Sequence, residues 1–527
     1  MSTLSFQPEA DRYYAEGYWR QGDLWGDFAA RAHAAPDKVA LILDDRRITY
    51  EELRRAAVAL SRRLAAGTVQ PGDVVLLLGR HSIEAAVALL GCLHRGVVLA
   101  PLPPMFGVAQ LAALAGQTGA KAIVGFGGEK EIAKCAQAAP LVGQLLTLLP
   151  ATVDELVAAD AVDARSERGA DDVAMVMHSS GTTSEPKGIV HSSNTLRYAT
   201  DGICRRWGIG GDDRCLVATE FGFVGGLVFG YFPILLRGGT GVLMSRWEPE
   251  EALRLIEKHR CTYVLLMPTH AADALLAAQA TTRDLSSMRV LGAPGLTPER
   301  RLAIHEAFGT PPLGDYGLSE VPGHAAHGPH EAEAKMLTTE GRPYDGTEIR
   351  ILDADGAQLP PGQVGDVVVN GPSRFLFFLG NDELTRASLT SWGGYRTGDL
   401  GYLDEDGHLV YVGRRKDIIR RGGVTVVPSE IEPVLMRHAA VHEAAVVALP
   451  DERLGERACA ALIVKRGQRA PTLPELQEFL EREGVAKYMW PESIELFDEF
   501  PRTPSLKVVK REVVQQIVAR AELPAPA

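Results

Sequence analysis

The sequence lacks the features of a membrane-bound or a disulfide-bonded protein. No stretch approaches the roughly 20 consecutive apolar residues that a helix needs to span a bilayer. The segment from Met1 to Leu24 is polar and aromatic, without an apolar run of the signal-peptide type. The six cysteines form no C-x-x-C pair, so neither a zinc site nor a disulfide framework is predicted. We therefore expect a cytoplasmic protein without a membrane partner.

Positive charge is also scarce. Lysine and arginine number 55 against 67 aspartate and glutamate residues, which gives a formal net charge of −12. The bulk field of an acidic chain does not attract nucleic acid, so no such partner is expected and an anionic ligand needs a local positive site. A chain of 527 residues is too long for one small core and predicts two or more domains.

The first part of the chain alternates between helix and strand patterns. Residues 49–52 have the sequence of a capping box, and apolar residues follow at helical spacing as far as Gly67. Val74–Leu78 is a short apolar run that is typical of a buried strand. The same alternation continues with a helix at 82–93 and strands at 122–124, 173–177, 263–267 and 289–291. It predicts parallel sheets covered by helices.

The pattern changes in the last third of the chain. Three strands at 348–352, 366–370 and 408–412 are joined by Asp/Gly turns, which predicts an antiparallel, β-rich subdomain. After Lys416 the segments 428–437 and 473–482 have helical patterns, whereas 444–449 and 460–464 have strand patterns. We predict an α/β fold with a large N-terminal domain, residues 1–415, and a small mobile α+β domain, residues 416–527.

A loop of small and hydroxyl residues gives the first functional indication. It follows the strand at 173–177 and contains Ser179, Ser180, Gly181, Thr182, Thr183 and Lys187. Small residues let main-chain N–H groups approach an anion, while hydroxyl groups and a lysine add hydrogen bonds and charge. The order of residues is not that of a Walker A loop, because Lys187 precedes Gly188. The pattern therefore fits either a polyphosphate-binding loop or a polar surface loop.

This segment resembles the phosphate-binding signature of the adenylate-forming superfamily, which includes acyl-CoA synthetases, nonribosomal adenylation domains and luciferases. Residues 180–183 and 186–188 match the signature S-G-T-T-G-x-P-K-G, and Ser184 stands where the family usually has glycine. The stretch at 101–106 further resembles the branch of cyclohexanecarboxylate and medium-chain-acid CoA ligases. The resemblance implies binding of ATP.

Later motifs follow in the order of the same superfamily. Gly292, Ala293 and Pro294 resemble the loop that lies against adenine, and Tyr316-Gly-Leu-Ser-Glu320 resembles the motif Y-G-x-T-E. The resemblance implies that Asp315 and Tyr316 bind the nucleotide, that Ser319 touches the α-phosphate and that Glu320 binds Mg²⁺. An aromatic face suits a purine, and a hard carboxylate oxygen suits Mg²⁺.

Four residues near the C-terminus complete the predicted site. Asp399 lies in a Y-R-T-G-D motif and would accept the ribose hydroxyls, while Arg414 would contact ribose or phosphate. Lys416 would be the hinge between the domains. Lys507, in a stretch resembling P-R-T-P-S-G-K, would be the catalytic lysine beside the acid and the α-phosphate. Leu506 stands where the family usually has glycine, which puts the second reaction step in question.

The acid pocket is predicted between the nucleotide loops and the stretch 220–227. Its predicted lining is Phe223, Val224, Gly225, Gly295, Gly314, Gly317 and Leu318. The glycines allow two interpretations, since they either make the pocket roomy or only permit tight packing. The first interpretation predicts a bulky alicyclic, aromatic or polycyclic acid as substrate.

Together these patterns predict an acid–CoA ligase that uses ATP, Mg²⁺ and CoA. An adenylation-only enzyme that serves a partner enzyme or carrier protein stays open, as does a nucleotide-binding protein without catalysis. A luciferase-type oxygenase is a minor option, and both monomer and homodimer are open. His324, His327 and His330 fit either a metal site or an ordinary loop. Residues 125–128 lack the spacing of a nicotinamide-binding turn.

Overall fold

The fold is of the mixed α/β class, with a large N-terminal domain of sheets and a smaller C-terminal domain. The computed structural model describes residues 4–160, 163, 165, 168–178, 187–422, 424–503 and 508–522. The phosphate-loop residues 179–183 and Lys507, all predicted to bind ATP or its phosphates, lie outside these ranges. None of the helices in the described part of the chain is long and apolar enough to cross a bilayer.

Five sheets organise the described residues. The strands of the first seven-stranded sheet, in spatial order, are Pro312–Leu313, Val290–Gly292, Tyr263–Leu265, Arg214–Val217, Thr240–Leu243, Val39–Leu43 and Arg46–Thr49. Those of the second are Phe377–Phe378, Gly188–Ser192, Val173–His178, Val98–Leu102, Val74–Leu78, Ala122–Phe126 and Gln144–Leu148. Both sheets are mainly parallel, as the alternating sequence pattern predicted.

The remaining sheets are antiparallel or mixed. A three-stranded sheet contains Asp315–Tyr316, Ala325–Ala326 and Arg342–Pro343, and a four-stranded sheet contains Glu348–Leu352, Gly365–Asn370, Tyr395–Leu403 and Leu409–Arg414. The sheet of the small domain contains Val424–Val426, Ile419–Arg421, Gly455–Val464, Val441–Asp451 and Ser493–Leu496. The predicted antiparallel subdomain is thus confirmed.

Helices cover both faces of the large sheets and flank the small one. Their bounds are Ala10–Ala15, Leu24–Ala34, Tyr50–Ala66, Ile83–Arg95, Val108–Thr118, Glu129–Ala138, Pro150–Ala158, Ser193–Trp207, Val224–Gly226, Phe232–Arg237, Pro249–His259, Pro268–Gln279, Pro298–Phe308, Glu333–Thr338, Asp382–Ser388, Pro428–Met436, Leu473–Arg482 and Lys510–Glu522. Short 3₁₀ turns occur at Ala139–Leu141, Arg415–Asp417 and Lys487–Met489, and a π-helical turn at Leu227–Tyr231.

The helix Tyr50–Ala66 shows how local sequence sets these elements. The Thr49 main-chain N–H donates to Glu52 at 2.8 Å, and Glu52 N–H donates to the Thr49 hydroxyl, which forms the predicted capping box. The helix buries Leu53, Leu60 and other apolar residues in the core between the two large sheets. That core brings the carboxyl ends of several parallel strands together, where ligands bind in α/β folds.

Candidate active site

Tyr316, Asp399 and Arg414 meet at one point, although they are far apart in the sequence. Asp399 and Arg414 are direct partners in adjacent antiparallel strands. The Tyr316 hydroxyl donates to Asp399 Oδ2, and Arg414 Nε lies 2.7 Å from Asp399 Oδ1. Three residues that the sequence assigned to nucleotide binding therefore form one cluster.

This cluster is buried and carries charge. Asp399 is only 1% exposed, and the Arg414 guanidinium beside it compensates the cost of burying a carboxylate. Burial, followed by the charge of Asp399, raises the pKa of Tyr316 well above its ordinary value, so the phenol stays a donor. The ring of Tyr411 lies 6.1 Å from that of Tyr316. The cluster thus offers an aromatic surface next to an anionic acceptor, which matches the two halves of a nucleoside.

The main chain of Ser319 and Glu320 is fixed by two contacts. Phe375 N–H donates to the Glu320 carbonyl at 2.7 Å, and His191 Nε2 lies 2.8 Å from the Ser319 carbonyl. A carbonyl only accepts, so Nε2 carries the proton of His191. Burial lowers the pKa of His191 to about 4, which keeps the ring neutral. Sequence reasoning missed His191, because a lone histidine at the end of a strand carries no motif.

The Glu320 side chain is half-buried beside Tyr395. Burial raises the pKa of Glu320 above its ordinary value, while the Tyr395 hydroxyl, which hydrogen-bonds the carboxylate, and the more distant Arg414 and Lys187 lower it. A partly desolvated carboxylate of this kind gains from a nearby cation. The donor is a hard oxygen, so the residues present fit Mg²⁺.

Lys187 is the described residue of the predicted phosphate loop. It is half-buried, and its ammonium group lies 5.4 Å from the centre of the Phe378 ring, in cation–π range. The charges of Lys187 and Glu320 are close enough to affect each other. The structure therefore brings the predicted phosphate-binding and metal-binding side chains to the same edge of the second sheet.

The loop at 292–295 is fixed by a main-chain hydrogen bond and by close packing against Trp207. Ala293 N–H donates to the Leu313 carbonyl at 2.8 Å, and a side chain on Gly292 would lie 2.4 Å from the Trp207 ring. Gly295 has a φ of +65°, a left-handed conformation that favours glycine. Pro294 is half-buried. The small residues of this loop are thus required by packing and backbone geometry.

A buried ion pair lies under the same loop. Arg301 Nη2 donates to Glu340 Oε1 at 2.9 Å, and Arg301 Nε donates to the Leu296 carbonyl at 3.2 Å. Burial raises the pKa of Glu340, and Arg301 opposes that shift. The two residues lie 39 positions apart along the chain, so no local pattern indicates that they pair. The pair fixes the end of the loop predicted to lie against adenine.

The Asp315 side chain lies on the opposite side of its strand from that of Tyr316. Neighbouring residues of a strand point to opposite sides, so its side chain faces away from that of Tyr316. The Tyr344 hydroxyl lies 3.5 Å from Asp315 Oδ1, and burial raises the pKa of Asp315 well above its ordinary value. Only the main chain of Asp315 remains available for the predicted contact with the nucleotide.

A narrow cavity, in which only about 10 Å³ is open to a water molecule, lies at the predicted acid-binding stretch. It is lined by residues 216–219 at the end of the strand Arg214–Val217 and just beyond it, by Gly225, by Phe229 and Gly230 in the π-helical turn, and by Leu265. π-Helical turns are often found at functional sites. Phe223, which precedes the short helix Val224–Gly226, and Val224, its first residue, are half-buried. Sequence reasoning missed Thr219, Phe229 and Leu265, because they belong to ordinary apolar segments.

The glycines near this cavity differ in what surrounds them. A side chain on Gly222 would overlap Pro103, and one on Gly314 would lie within 2.9 Å of Arg301 and Glu340. One on Gly225 would make ordinary contacts, at 3.5 Å from Thr219 and 3.8 Å from Leu265. Packing therefore requires glycine at 222 and 314, whereas Gly225 leaves space in the cavity.

Gly317 and Leu318 lie in the turn after Tyr316. A side chain on Gly317 would be 2.9 Å from the main-chain nitrogen of Gly323, and Leu318 N–H donates to the Val321 carbonyl at 3.2 Å. Gly317 is exposed and Leu318 half-buried. Neither residue lines the cavity described above. Their assignment to the acid pocket stays a prediction.

The histidines that followed the motif have separate structural partners. His324 Nδ1 contacts the Val321 carbonyl at 2.8 Å, whereas His327 Nδ1 accepts from Gly314 N–H at 2.8 Å. Among the described residues, the group with metal-ligand spacing is instead Asp404, Asp406 and His408. The Lys335 ammonium lies 2.6 Å from both of those aspartates and compensates part of their charge.

Comparison with known proteins identifies the family. The model of the family described as AMP-binding enzyme matches residues 28–378, and that of the AMP-binding enzyme C-terminal domain matches residues 430–507. The chain belongs to the AMP-binding enzyme family. This finding confirms the predicted adenylate-forming superfamily.

Full-length relatives support the same conclusion. The chain is 31% identical to the medium-chain fatty-acid–CoA ligase of Escherichia coli K12, over 98% of this chain and 94% of that one. It is 32% identical to a feruloyl-CoA synthase of Amycolatopsis, over 92% and 96%. The crystal structure of ATP-bound MatB from Rhodopseudomonas palustris superposes with a TM-score of 0.86 at 25% identity, over 95% and 99%. The prediction of an AMP-forming carbon–sulfur ligase is thus confirmed at the level of the family.

Proposed function

We propose that this chain is an acid–CoA ligase that first joins a carboxylic acid to AMP and then transfers the acyl group to the thiol of CoA. The observation that supports it best is the buried cluster of Tyr316, Asp399 and Arg414, which combines an aromatic face with a paired carboxylate. In the proposed complex the ribose hydroxyls bind Asp399, and the purine lies against Tyr316. The family membership reported above supplies the reaction class.

The first step is an in-line displacement at phosphorus. An oxygen of the acid attacks the α-phosphate of ATP, the bond to the β-phosphate breaks, and pyrophosphate leaves. Lys187 and the serine–threonine loop would hold the β- and γ-phosphates, and Ser319 would contact the α-phosphate. Glu320 would hold Mg²⁺, which supplies charge neutralisation for the phosphates when bound. Catalysis in this scheme comes from positioning and electrostatic stabilisation.

Lys507 is proposed as the catalytic lysine. Its assignment comes from the order of motifs, since the residue lies outside the described ranges. An ammonium group beside the acid and the α-phosphate would offset the repulsion between two anions. The proposed division of the chain, with residues 1–415 as the adenylation core and 416–527 as the mobile domain, places this lysine on the moving part.

The contacts around Lys416 support a hinge at that position. Lys416 lies in the 3₁₀ turn Arg415–Asp417, directly after the strand that carries Arg414. Arg415 Nε lies 2.5 Å from Asp366 in the large domain. Beyond the turn, Arg437 in the small domain approaches Glu299 in the large domain at 3.8 Å, and both side chains are substantially exposed. An exposed pair of this kind contributes little stability, so it does not oppose a rotation.

We propose a single-ring carboxylic acid, at the smaller end of the range that the sequence suggested. The cavity has only about 10 Å³ open to a water molecule, against roughly 300–1,000 Å³ for pockets of drug-sized ligands, so its lining must move to admit any acid. Most of its lining residues are apolar, and Gly225 leaves room for about one methyl group in contact with Thr219 and Leu265. A single-ring carboxylic acid requires less movement of this lining than a polycyclic one. The aromatic substrate in the name of the feruloyl-CoA synthase relative agrees with this choice.

The decisive experiment is a screen of carboxylic acids by ATP–pyrophosphate exchange. Exchange that depends on one or more acids supports adenylation, and its absence with every acid favours the nucleotide-binding protein without catalysis. AMP release is then measured with and without CoA. A CoA-dependent acyl thioester supports the ligase, whereas CoA-independent adenylate formation without a thioester favours the adenylation-only alternative that Leu506 raised.

A further inference from the structure

A turn in the four-stranded sheet carries three side chains that the mechanism above leaves unused. The turn joins the strands Tyr395–Leu403 and Leu409–Arg414. Asp404, Asp406 and His408 each offer one ligand atom there, and these atoms lie within 4.8 Å of one another. Carboxylate oxygen and imidazole nitrogen together suit a transition metal. Acidic turns are also common where no metal binds, so the spacing alone does not decide between the two.

The ring of His408 provides the second observation. It is only 3% exposed, and Nε2 lies 3.0 Å from Glu331 Oε2. A carboxylate only accepts hydrogen bonds, so Nε2 carries the proton and Nδ1 of the neutral ring is left with a lone pair. Nδ1 is buried without a hydrogen-bond partner, and it faces Asp404 Oδ1 at 3.5 Å. Two buried acceptors that face each other need a cation or a proton between them.

The surroundings of His408 are those of a metal-bound histidine. Such a histidine binds the metal through one ring nitrogen and nearly always donates from the other to a carboxylate, a carbonyl or water. Glu331 has this second role, and its other oxygen accepts from Gly328 N–H at 2.9 Å. The Asp404 carboxylate is fixed as well, because the main-chain N–H groups of Asp406 and His408 both donate to Oδ1 at 2.9 Å.

Lys335 shows that the two aspartates favour a cation at this point. Its ammonium group lies 2.6 Å from Oδ2 of Asp404 and 2.6 Å from Oδ2 of Asp406. Two carboxylates and one ammonium group leave a net negative charge, to which Glu331 adds. The Lys335 side chain is 30% exposed and has a flexible stem, so it can turn into solvent when another cation binds.

We propose that Asp404, Asp406 and His408 Nδ1 bind a divalent transition metal of the zinc type, and that this ion replaces the Lys335 ammonium group. Zn²⁺ accepts this mixed set of oxygen and nitrogen ligands, whereas Mg²⁺ and Ca²⁺ prefer oxygen alone. Three protein ligands leave a fourth tetrahedral position for water. The site differs from the Mg²⁺ site proposed for Glu320, and it does not depend on the proposed ligase function.

The proposed ion has a structural role. The turn lies at the far end of the hairpin from Arg414, roughly 17 Å away at about 3.4 Å per strand residue. Beside the turn, Glu340 N–H donates to the Leu409 carbonyl at 2.8 Å, and Leu409 N–H donates to the Gly341 carbonyl at 2.9 Å. The ion stabilises this junction between the turn and the segment before it. Since it binds only the folded chain, Tm should rise with Zn²⁺ concentration.

The first measurement is a Zn²⁺ titration of the full-length chain without nucleotide, in competition with a chromophoric chelator. We expect saturable binding of an ion that the ligand variants below weaken, together with the rise in Tm. Co²⁺ is the second probe, because its visible absorption reports the coordination geometry of the bound ion. Absence of saturable Zn²⁺ binding overturns the proposal.

The second measurement repeats the titration with variants. Asp404→Asn and His408→Gln are expected to weaken Zn²⁺ binding by at least about 10-fold, and Glu331→Gln by roughly 10- to 100-fold. Asparagine at 404 retains an oxygen for the two main-chain hydrogen bonds, so the turn should keep its fold. If Asp404→Asn and His408→Gln both bind Zn²⁺ like the wild type, the ion lies elsewhere and the proposal fails.

Lys335→Met tests the replacement of the ammonium group. This variant should bind Zn²⁺ more tightly than the wild type, because it removes the competing cation from Asp404 and Asp406. An ion that bound beside the ammonium group, or away from it, would show unchanged or weaker binding in Lys335→Met. Either of those results overturns the proposal.

The same sheet contains a matched control turn. The N–H groups of Asp355 and Ala357 donate to Asp353 Oδ1 at 2.9 and 2.8 Å, as in the first turn, but alanine stands where that turn has His408. Asp353→Asn should therefore leave the Zn²⁺ affinity at the wild-type value. Equal losses in Asp353→Asn and Asp404→Asn overturn the proposal, since acidic turns in general would then bind the ion.

Discussion

Asp399 is held from two sides, by the Tyr316 hydroxyl and by the Arg414 guanidinium. We predict that Asp399→Asn raises KM for ATP by roughly 10-fold or more, because it removes a charged acceptor and leaves Arg414 without its counter-ion. Steady-state pyrophosphate release at varied ATP measures this effect. Asp201→Asn is the control: Asp201 is a buried aspartate paired with Arg20 and Arg237, and its loss should lower stability without changing KM.

Lys507 gives the second prediction at the scale of a residue. Lys507→Ala should lower the adenylation rate by roughly 10²-fold or more, the effect of removing one preorganised charge from a reacting centre. Lys510→Ala, three residues further on, is the control, because Lys510 already pairs with Glu432 at 2.6 Å. ATP–pyrophosphate exchange is the measurement. Exchange near the wild-type rate in Lys507→Ala would contradict the assignment.

At the scale of an element, the position of the loop at 292–295 requires glycine, without a side chain, at residue 292. In Gly292→Ala the new Cβ would lie 2.4 Å from Trp207, so the loop or the ring must move. We expect a loss of about 1–3 kcal/mol in the free energy of unfolding, as for an overpacked core, together with a higher KM for ATP.

The control for this variant is Gly116→Ala. Gly116 lies in the helix Val108–Thr118, and a side chain there would meet nothing within 4 Å. Alanine is the better helix former, so this variant should be slightly more stable than the wild type. Thermal denaturation and ATP titration of both variants provide the test. An unchanged KM in Gly292→Ala would show that the loop position does not matter for nucleotide binding.

Elements with a strong local pattern were predictable from the sequence. The strand Val74–Leu78 and the helix Leu473–Arg482 have the predicted bounds, and the capping box at Thr49 is present. The strand Val441–Asp451 is longer than the predicted 444–449, because pairing with its neighbour extends it beyond its apolar centre. The local pattern thus predicts whether a segment is a helix or a strand better than it predicts where that segment begins and ends.

Features that depend on distant partners were not predictable. The pair of Arg301 and Glu340, and the contact of His191 with Ser319, join residues 39 and 128 positions apart. Packing requires glycine at 314, where the sequence left both a roomy pocket and tight packing open. Resemblance to a family supplied Asp399 and Arg414 as site residues, whereas their pairing needed the sheet register.

At the scale of the whole molecule, buried histidines set the response to acid. Burial lowers the pKa to about 4 for His81, His178, His191, His270 and His324, and to about 3 for His327. Their unfolded pKa is near 6.5, so below that pH the unfolded chain binds more protons than the folded one. The free energy of unfolding should therefore fall as the pH is lowered from 6.5 towards 4.

Buried carboxyl groups have the opposite effect on the free energy of unfolding, which they raise as the pH falls. Burial raises the pKa of Glu220 to about 7 and also raises those of Asp315, Glu320 and Glu340, so these groups hold protons in the folded state and favour lower pH. Six histidines outnumber these four carboxyls, so the net trend should still be a loss of stability. Urea denaturation at pH 7, 6 and 5 provides the measurement. Equal stability at all three values would contradict the prediction.

The register between the strands Tyr395–Leu403 and Leu409–Arg414 has a further consequence. Arg414 is the last residue before the turn that leads into the small domain. It forms an ion pair with Asp399, whose carboxylate we propose to bind the ribose hydroxyls. Ribose hydroxyls that donate hydrogen bonds to the Asp399 oxygens must compete with this ion pair. In the mechanism that we propose, where the small domain moves, occupancy of the nucleotide site and the orientation of that domain are therefore thermodynamically linked, and each biases the other by the same factor.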